Sequence, residues 1–339
     1  MAIFARRLTR SAVAFAASLG VLAGAQVIGA GQTAPAVRPA AKPWSPPRTA
    51  DGHPDFSGFW SHLTATPFER DRALGTKEFY TDQEFADLAA RLKRGELERP
   101  GGGAQEEVYD RTVYGTDATT YPLASTKRTS LVIGPEGRVP PMLPDAVKRN
   151  AARAAALKGH EFDSYEFMAL GPRCILSAQQ QLPWLPANDI NPVFQIFQGP
   201  GQVAIYLELN HDVRVIPTDG RPHIASNIRQ LQGDSVGHWE GDTLVVDTTN
   251  FTNRSAYRGS SENLHLLERL TRTGPDTIVY RVTVEDPMTW ATPWTAEVPW
   301  TASKNGVYEY ACQEGNNAVQ LALGGARRQE QEAAQKNAK

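Results

Sequence analysis

Alternating apolar and polar residues fill most of the chain after about residue 190. Val203, Ile205 and Leu207 recur at every second position, which is the pattern of a strand with one buried face. Turn sequences interrupt the alternation at 240–242 and 274–276. The alternation returns in five further segments: 211–218, 237–251, 272–286, 294–303 and 306–314. Strands joined by short turns predict an antiparallel meander rather than a parallel sheet.

A meander of this length has two unpaired edges unless it closes, so the pattern favours an up-and-down β-barrel over an open sheet. The segment DFSGFW (55–60) resembles the Gly-x-Trp signature at the first strand of lipocalins. We therefore expect a mainly β protein with an antiparallel, lipocalin-like barrel, and a two-sheet sandwich is the alternative. A few helices are predicted in the N-terminal half. One opens with the capping box Thr81-Asp82-Gln83-Glu84 and ends at Gly95, and another covers 144–159.

The first residues combine a basic start, an Ala-rich apolar run from about 12 to 23 and a small-residue cleavage pattern at 23–25. This order is typical of a secretory signal peptide, and the run is too short for a membrane-spanning helix. The sequence therefore predicts four parts: a signal peptide (1–25), a Pro- and Ala-rich linker (26–50), one barrel domain with N-terminal helical elaborations (51–325) and a charged tail (326–339). We expect a periplasmic or secreted protein with no stable membrane span, exported by the general secretory or the twin-arginine route.

Motifs spread between residues 46 and 326 resemble a family of exported bacterial proteins. They include RTSLVIGPEGR (128–138), RVIPTDGRPH (214–223), WEGDTLVVDTTNF (239–251) and EYACQEGN (309–316). The resemblance implies export but no particular activity. Many members of that family carry a histidine where this chain has Gln313, so the resemblance implies no essential imidazole at that position.

The composition excludes several function classes. The chain has 35 Lys and Arg against 37 Asp and Glu, so it lacks the basic excess that neutralises phosphates, and nucleic acid is not an expected partner. Gly-x-Ser-x-Gly, His-Glu-x-x-His and a phosphate-binding glycine loop are all missing from the sequence. His211, His223 and His265 could meet on neighbouring strands, but their spacing is not a zinc signature. We expect neither a metal nor a cofactor.

Cys174 and Cys312 are the two cysteines of the chain. In an exported protein such a pair usually forms a disulfide, which is the prediction here. Two buried free thiols, or a reactive cysteine, are the alternatives.

Carboxylates interrupt two apolar strands. If 263–272 is a strand, Glu268 shares a face with three leucines: Leu264, Leu266 and Leu270. A carboxylate in that setting either has a raised pKa, as general acids do, or pairs with a buried arginine such as Arg221 or Arg281. If this segment is a helix instead, Glu268 shares a face with a different set of residues. Asp247 interrupts a Val-rich strand in the same way, as an acid–base group or as a structural partner.

Arg221 and His223 follow the turn at 218–220, which Gly220 and Pro222 make rigid. At a barrel mouth they could bind an oxyanion and transfer a proton, or Arg221 could simply hold the loop. Trp290 and Trp294 could form the floor of a pocket for a ring-bearing ligand, or pack in the core.

The sequence therefore predicts a periplasmic barrel that binds an apolar or aromatic small molecule. Such a barrel could also transform its ligand by cofactor-free acid–base chemistry, as an isomerase, lyase or hydrolase. The candidate catalytic residues are Glu268, His223 and Asp247; the candidate ligand contacts are Arg221, His265, Arg269, Tyr280, Trp290 and Trp294. The alternative is a structural or envelope-interaction module without catalysis. The contents of the barrel interior distinguish these two hypotheses.

Overall fold

The computed structural model describes residues 44–94, 123, 126–177, 180–185 and 191–338, and these belong to one compact unit. The predicted signal peptide, and the linker as far as residue 43, lie outside them. The described strands are β1 (Gly58–Ser61), β2 (Val193–Gly199), β3 (Gln202–Leu207), β4 (Val213–Pro217), β5 (Asp234–Glu240), β6 (Thr243–Thr249), β7 (His265–Gly274), β8 (Thr277–Glu285) and β9 (Trp294–Ala302). The described α-helices are α1 (Asp82–Lys93), α2 (Pro144–Leu157) and α3 (Ala318–Asn337).

The strands form one antiparallel sheet in the order β4-β3-β2-β1-β9-β8-β7-β6-β5. Each strand pairs with the next one in sequence except β4 with β5, and β1 pairs with β9 to join the two halves of the sheet. The two ends of this order, β4 and β5, lie side by side, so the sheet is a nearly closed barrel. The predicted mainly β, up-and-down barrel with a few helices is confirmed. The likeness to lipocalins stays a prediction.

An odd number of strands determines how this barrel closes. Eight antiparallel pairings connect β4 to β5 through the sheet. Each pairing reverses the strand direction, and eight reversals leave β4 and β5 running in the same direction. No backbone hydrogen bond joins the described residues of β4 to those of β5. We call this boundary the seam. Because the ladder is missing there, the seam depends on side chains, and the connection 218–233 has to return along the barrel from the end of β4 to the start of β5.

Gly237 of β5 permits close packing at the seam. A Cβ atom at this position would lie 2.9 Å from Ile216 Cγ2 and 3.3 Å from the carbonyl oxygen of Val245. Ile216 is fully buried, so its side chain has little space into which it could move. The missing side chain at residue 237 therefore lets β4 pack directly against β5.

Aromatic side chains occupy the barrel interior. The ring of Trp300 on β9 stacks on Tyr280 with 4.7 Å between centroids and meets the edge of Phe194 at 4.8 Å. Trp184 lies 6.3 Å from the same ring. All four side chains are almost completely buried. A large part of the interior is therefore filled with protein atoms.

The predicted capping box opens α1: Thr81 Oγ1 accepts from the Glu84 amide, and the Glu84 carboxylate accepts from the Thr81 amide. Much of the predicted tail (326–339) is helical, because α3 extends to Asn337. None of the residues of α3 is buried. The predicted strand in 306–314 is wrong, because this segment forms no strand. Among the described residues, no helix is both long and apolar enough to cross a membrane.

The packing at the seam predicts that Gly237→Ala lowers the free energy of unfolding by about 1–3 kcal/mol, since an added methyl group overpacks a buried site. Gly199→Ala is the matched control, because a Cβ atom there meets no other group within 4 Å. We expect this control to change stability by less than about 0.5 kcal/mol. Urea unfolding of both variants measures the difference, and equal stabilities would contradict close packing at Gly237.

Candidate functional site

Glu268 lies at the centre of a buried polar network inside the barrel, and its side chain is 0% exposed. Arg214 reaches it from β4, with Nη1 donating to Oε1 at 2.9 Å and Nη2 to Oε2 at 2.5 Å. Tyr280 Oη donates to Oε1 at 2.8 Å, and Thr248 Oγ1 donates to Oε2 at 3.1 Å. Each carboxylate oxygen therefore accepts two hydrogen bonds.

The guanidinium group of Arg214 is equally well satisfied. Its Nε and Nη2 donate to Ser235 Oγ at 3.1 and 3.0 Å, and its Cζ lies 5.3 Å from the centroid of the Trp184 ring. Burial lowers the pKa of Arg214, but the Glu268 carboxylate more than offsets this, so the pKa is raised overall. Burial, together with the same carboxylate, also raises the pKa of Tyr280 well above its usual value. The network is a closed set of matched donors and acceptors.

Both carboxylate oxygens of Glu268 are fully hydrogen-bonded. This agrees with the structural hypothesis for Glu268, in which it pairs with a buried arginine. The partner is Arg214 rather than Arg221 or Arg281. Arg281 instead pairs with Glu297 on β9, at 2.6 Å. A carboxylate with four donors and no exposed surface has no oxygen left to exchange a proton with a substrate.

A second set of charged groups lies on the outer face of the barrel. Asp247 of β6 stands between two histidines: Oδ1 is 3.1 Å from His223 Nε2, and Oδ2 is 3.0 Å from His265 Nε2. The other ring nitrogens meet further carboxylates. His223 Nδ1 lies 2.7 Å from Asp234 Oδ2, and His265 Nδ1 lies 3.1 Å from Glu285 Oε2. We call these five residues the outer acid–histidine chain.

Each histidine in this chain has a carboxylate oxygen at both ring nitrogens, so only the doubly protonated ring can donate to both. The hydrogen bond with Asp247, together with Glu285, raises the pKa of His265 to about 9 despite partial burial. The hydrogen bond from His265 in turn lowers the pKa of Asp247. The chain ties the connection 218–233, which carries His223, to the outer surface of β5 and β6. It is built for charge pairing and leaves no ring nitrogen free to act as a base.

The candidate catalytic residues Glu268, His223 and Asp247 do not lie at one site. Successive side chains on a strand point to opposite faces. Asp247 therefore points away from the interior face that its neighbour Thr248 uses to reach Glu268. The barrel wall separates the buried network from the outer acid–histidine chain.

The two arginines expected to bind ligand are engaged elsewhere. Arg221 is exposed and pairs with Asp219 in its own turn, with 2.6 Å between Nη2 and Oδ2. Arg269 lies on the outer face of β7 and pairs with Glu240 of β5. Arg221 thus holds the loop, which was the alternative reading.

The tryptophans pack in the core rather than against an open space. Trp290 and Trp294 are 3% and 4% exposed, and their rings meet edge to face at 5.9 Å. Trp294 also meets Phe68 at 6.0 Å. Tyr280 belongs to the buried network. These positions match the packing alternative.

A pocket of about 250 Å³ lies outside the barrel interior, at the end where β5 begins and β6 ends. Three segments form it: the loop after α2, the connection 218–233 and the loop after β6. Its lining consists of Leu170, Arg173, Ile175, Arg229, Leu231, Thr252 and Arg254. Backbone hydrogen bonds join two of these segments, because the Thr252 amide donates to the Gln230 carbonyl at 2.9 Å. We call this site the end pocket.

The predicted disulfide anchors one wall of the end pocket. Cys174 and Cys312 are bonded, with 5.8 Å between their Cα atoms, so this prediction is confirmed. Asn316 Nδ2 donates to the Pro172 carbonyl at 3.0 Å. Arg173, between Pro172 and Cys174, is therefore fixed by a covalent and a polar tie to the segment before α3.

Sequence reasoning missed Arg214 and all three pocket arginines. The alternation around Arg214 was a usable signal. Val213 and Val215 share one face of β4, so Arg214 lies on the other face together with the apolar Ile216. The valines, at 51% and 50% exposure, occupy the outer face, and the charged residue is the buried one. The pocket arginines lie on three separate loops, and no periodic pattern connects such residues.

No family model matches this chain, and no curated protein is significantly similar to it. Among solved structures, it is similar to a "secretary abundant heat soluble (SAHS) protein" from Ramazzottius varieornatus. That similarity has 10% identity over 33% of this chain and 70% of the other, with a TM-score of 0.23. So low a score carries no argument, and the architecture rests on the strand pairings themselves. Within the described part of the chain, no cluster of three or more His, Cys, Asp or Glu side chains could hold a metal ion.

The buried network predicts that Glu268→Gln lowers the free energy of unfolding by about 3–5 kcal/mol, because it leaves the Arg214 charge buried without its counter-ion. The matched control is Glu240→Gln, which removes the exposed partner of Arg269. We expect this control to leave stability almost unchanged. Chemical denaturation measures both, and a Glu268→Gln variant as stable as the parent would contradict the pairing.

The outer acid–histidine chain predicts a pH-dependent stability. The pKa of His265 rises from 6.5 in the unfolded chain to about 9 in the folded protein. The folded state therefore binds more protons in this range, and stability falls as pH rises from 6.5 through 9. We expect the decrease of stability with pH to be smaller in His265→Gln. His238→Gln, which changes an exposed histidine beside Glu240, is the control that keeps it. Urea unfolding at a series of pH values tests this, and equal slopes for all three proteins would contradict it.

Proposed function

We propose that this chain is an exported β-barrel protein that binds a small, partly apolar molecule in the end pocket. The observation that carries the proposal is the pocket itself, where leucine and isoleucine side chains line a space of about 250 Å³ beside three arginines. Ligand sites commonly combine an apolar lining with a few placed polar groups in this way. The leader-like N-terminus and the Cys174–Cys312 bond support export, since disulfides persist in oxidising compartments. The sequence motifs support membership of the exported bacterial family that they resemble.

The proposal is binding rather than acid–base catalysis. Glu268 accepts four hydrogen bonds and has no exposed surface. His223 and His265 each have carboxylate oxygens at both ring nitrogens. A general base needs a free lone pair within reach of a substrate, and these three residues offer none.

A structural or envelope-interaction module is the second candidate. Two observations favour it: aromatic side chains fill much of the barrel interior, and the outer face of β2–β4 exposes apolar residues. Phe197, Val213 and Val215 are each about half exposed there. Ladder pairing aligns Phe197 with Ala204 and Ala204 with Val215, so they form a row across the sheet.

A ligand-retention experiment separates the two candidates. If the end pocket binds a ligand, native mass spectra of protein purified from its periplasm should show a non-covalent adduct that denaturation removes. Leu231→Trp should abolish the adduct, because an indole group fills the pocket. Ile228→Trp is the control, since Ile228 lies on the same connection but is exposed and does not line the pocket. Absence of any adduct would favour the interaction module, and an equal adduct on both variants would show that the ligand does not bind in the end pocket.

A further inference from the structure

We propose that the end pocket selects a small carboxylate attached to a single ring or a short apolar chain, and that Arg173 binds the carboxylate group. This inference rests on the proposed function, because it names the class of ligand for the same site. Its steps are the charge of the lining, the fixed position of Arg173, and the size and polarity of the remaining walls.

The lining of the end pocket carries positive charge without matching negative charge. It contains three arginines and no aspartate or glutamate. Arg229 is partly compensated: its Nη1 donates to the Phe251 carbonyl at 3.2 Å, and its Nε lies 3.7 Å from Glu262 Oε2. Arg254 donates to the Glu166 carbonyl at a long 3.5 Å. Within the described residues, neither Arg254 nor Arg173 has a carboxylate partner in ion-pair distance. The site therefore favours an anionic ligand.

Arg173 is the pocket arginine best suited to hold an anion. The residue is partly buried, whereas Arg254 is exposed, and within the described residues Arg173 has no carboxylate partner to compete with a ligand. The planar guanidinium group matches the carboxylate geometry and can donate to both of its oxygens.

The position of Arg173 is fixed before any ligand arrives. Its guanidinium carbon lies 5.4 Å from the centroid of the Tyr165 ring. The next residue, Cys174, is held by the disulfide and has a positive φ of 53°, a conformation that non-glycine residues rarely adopt. A side chain held in this way loses little freedom on binding, so more of the interaction energy contributes to affinity.

The other walls limit the rest of the ligand. Leu170, Ile175 and Leu231 offer apolar contact and no hydrogen-bonding side chain. A volume of about 250 Å³ lies between the ~150 Å³ of a cavity that binds benzene and the ~300 Å³ lower bound for drug-sized sites. This space suits one ring or a short chain.

Calorimetric titration of the whole mature protein tests the inference with defined probes. The probes are benzoate, phenylacetate and hexanoate, each compared with its neutral amide, and inorganic phosphate. We expect at least one carboxylate to bind at least about tenfold more tightly than its amide. Arg173→Gln should weaken that binding by about 10- to 100-fold, the range for a hydrogen bond to a charged group. Arg173→Lys should recover part of it, because it keeps the charge but not the fork of donors.

Arg328→Gln on the exposed face of α3 is the matched control and should bind as the parent does. Thermal unfolding of each variant verifies that it is folded at the titration temperature. If amides bind as tightly as carboxylates, or if Arg173→Gln and Arg328→Gln behave alike, the carboxylate assignment is wrong while binding in the pocket stands. If phosphate binds more tightly than every carboxylate, or no carboxylate binds at all, the assignment is also wrong. The native mass spectra decide separately whether the pocket binds anything.

Discussion

The buried pair of Arg214 and Glu268 is the interaction on which the rest of the structure depends. Nine strands in a meander leave β4 and β5 parallel, and no ladder of backbone hydrogen bonds forms between them. Arg214 crosses this seam inside the barrel and bonds Ser235 of β5, Thr248 of β6 and Glu268 of β7. Side-chain bonds from Arg214 thus take the place of backbone pairing at the seam. Placing a carboxylate and a guanidinium group in the core is costly, and it is tolerated because each group is fully bonded.

Closure of the barrel also positions the end pocket. The connection 218–233 has to return along the seam because β4 and β5 run in the same direction. Two features hold it there: His223, which pairs with carboxylates on β5 and β6, and the backbone bonds of Gln230 to the loop after β6. Arg229 and Leu231 then reach the end pocket from the same connection. The parallel seam and the course of the connection that forms one wall of the pocket therefore both follow from the number of strands.

Sequence patterns predicted the barrel because its strands have one buried face and short turns, and both features are local. They also placed Glu268 in the interior, since one charged residue among leucines keeps the period of two. They failed where partners come from distant strands. Nothing in the spacing of Arg214 identifies Glu268 as its partner, and nothing indicates that Asp247 and Glu268 lie on opposite sides of the wall. The number of strands, which makes the seam parallel, depends on β1, a strand of four residues that pairs with β9 far along the chain. Such long-range facts are set by packing rather than by local pattern.

The most direct test of this account is the distance between β4 and β5 in solution. Spin labels attached through non-canonical amino acids at Val215 and His238, exposed positions on the two strands, leave the disulfide intact. Pulsed electron spin resonance should give a single narrow distance for the parent protein. In Arg214→Met, which removes the charge that crosses the seam, the distribution should broaden and move to longer distances while the other strands stay folded. An unchanged narrow distance in Arg214→Met would show that the barrel closes without the buried pair.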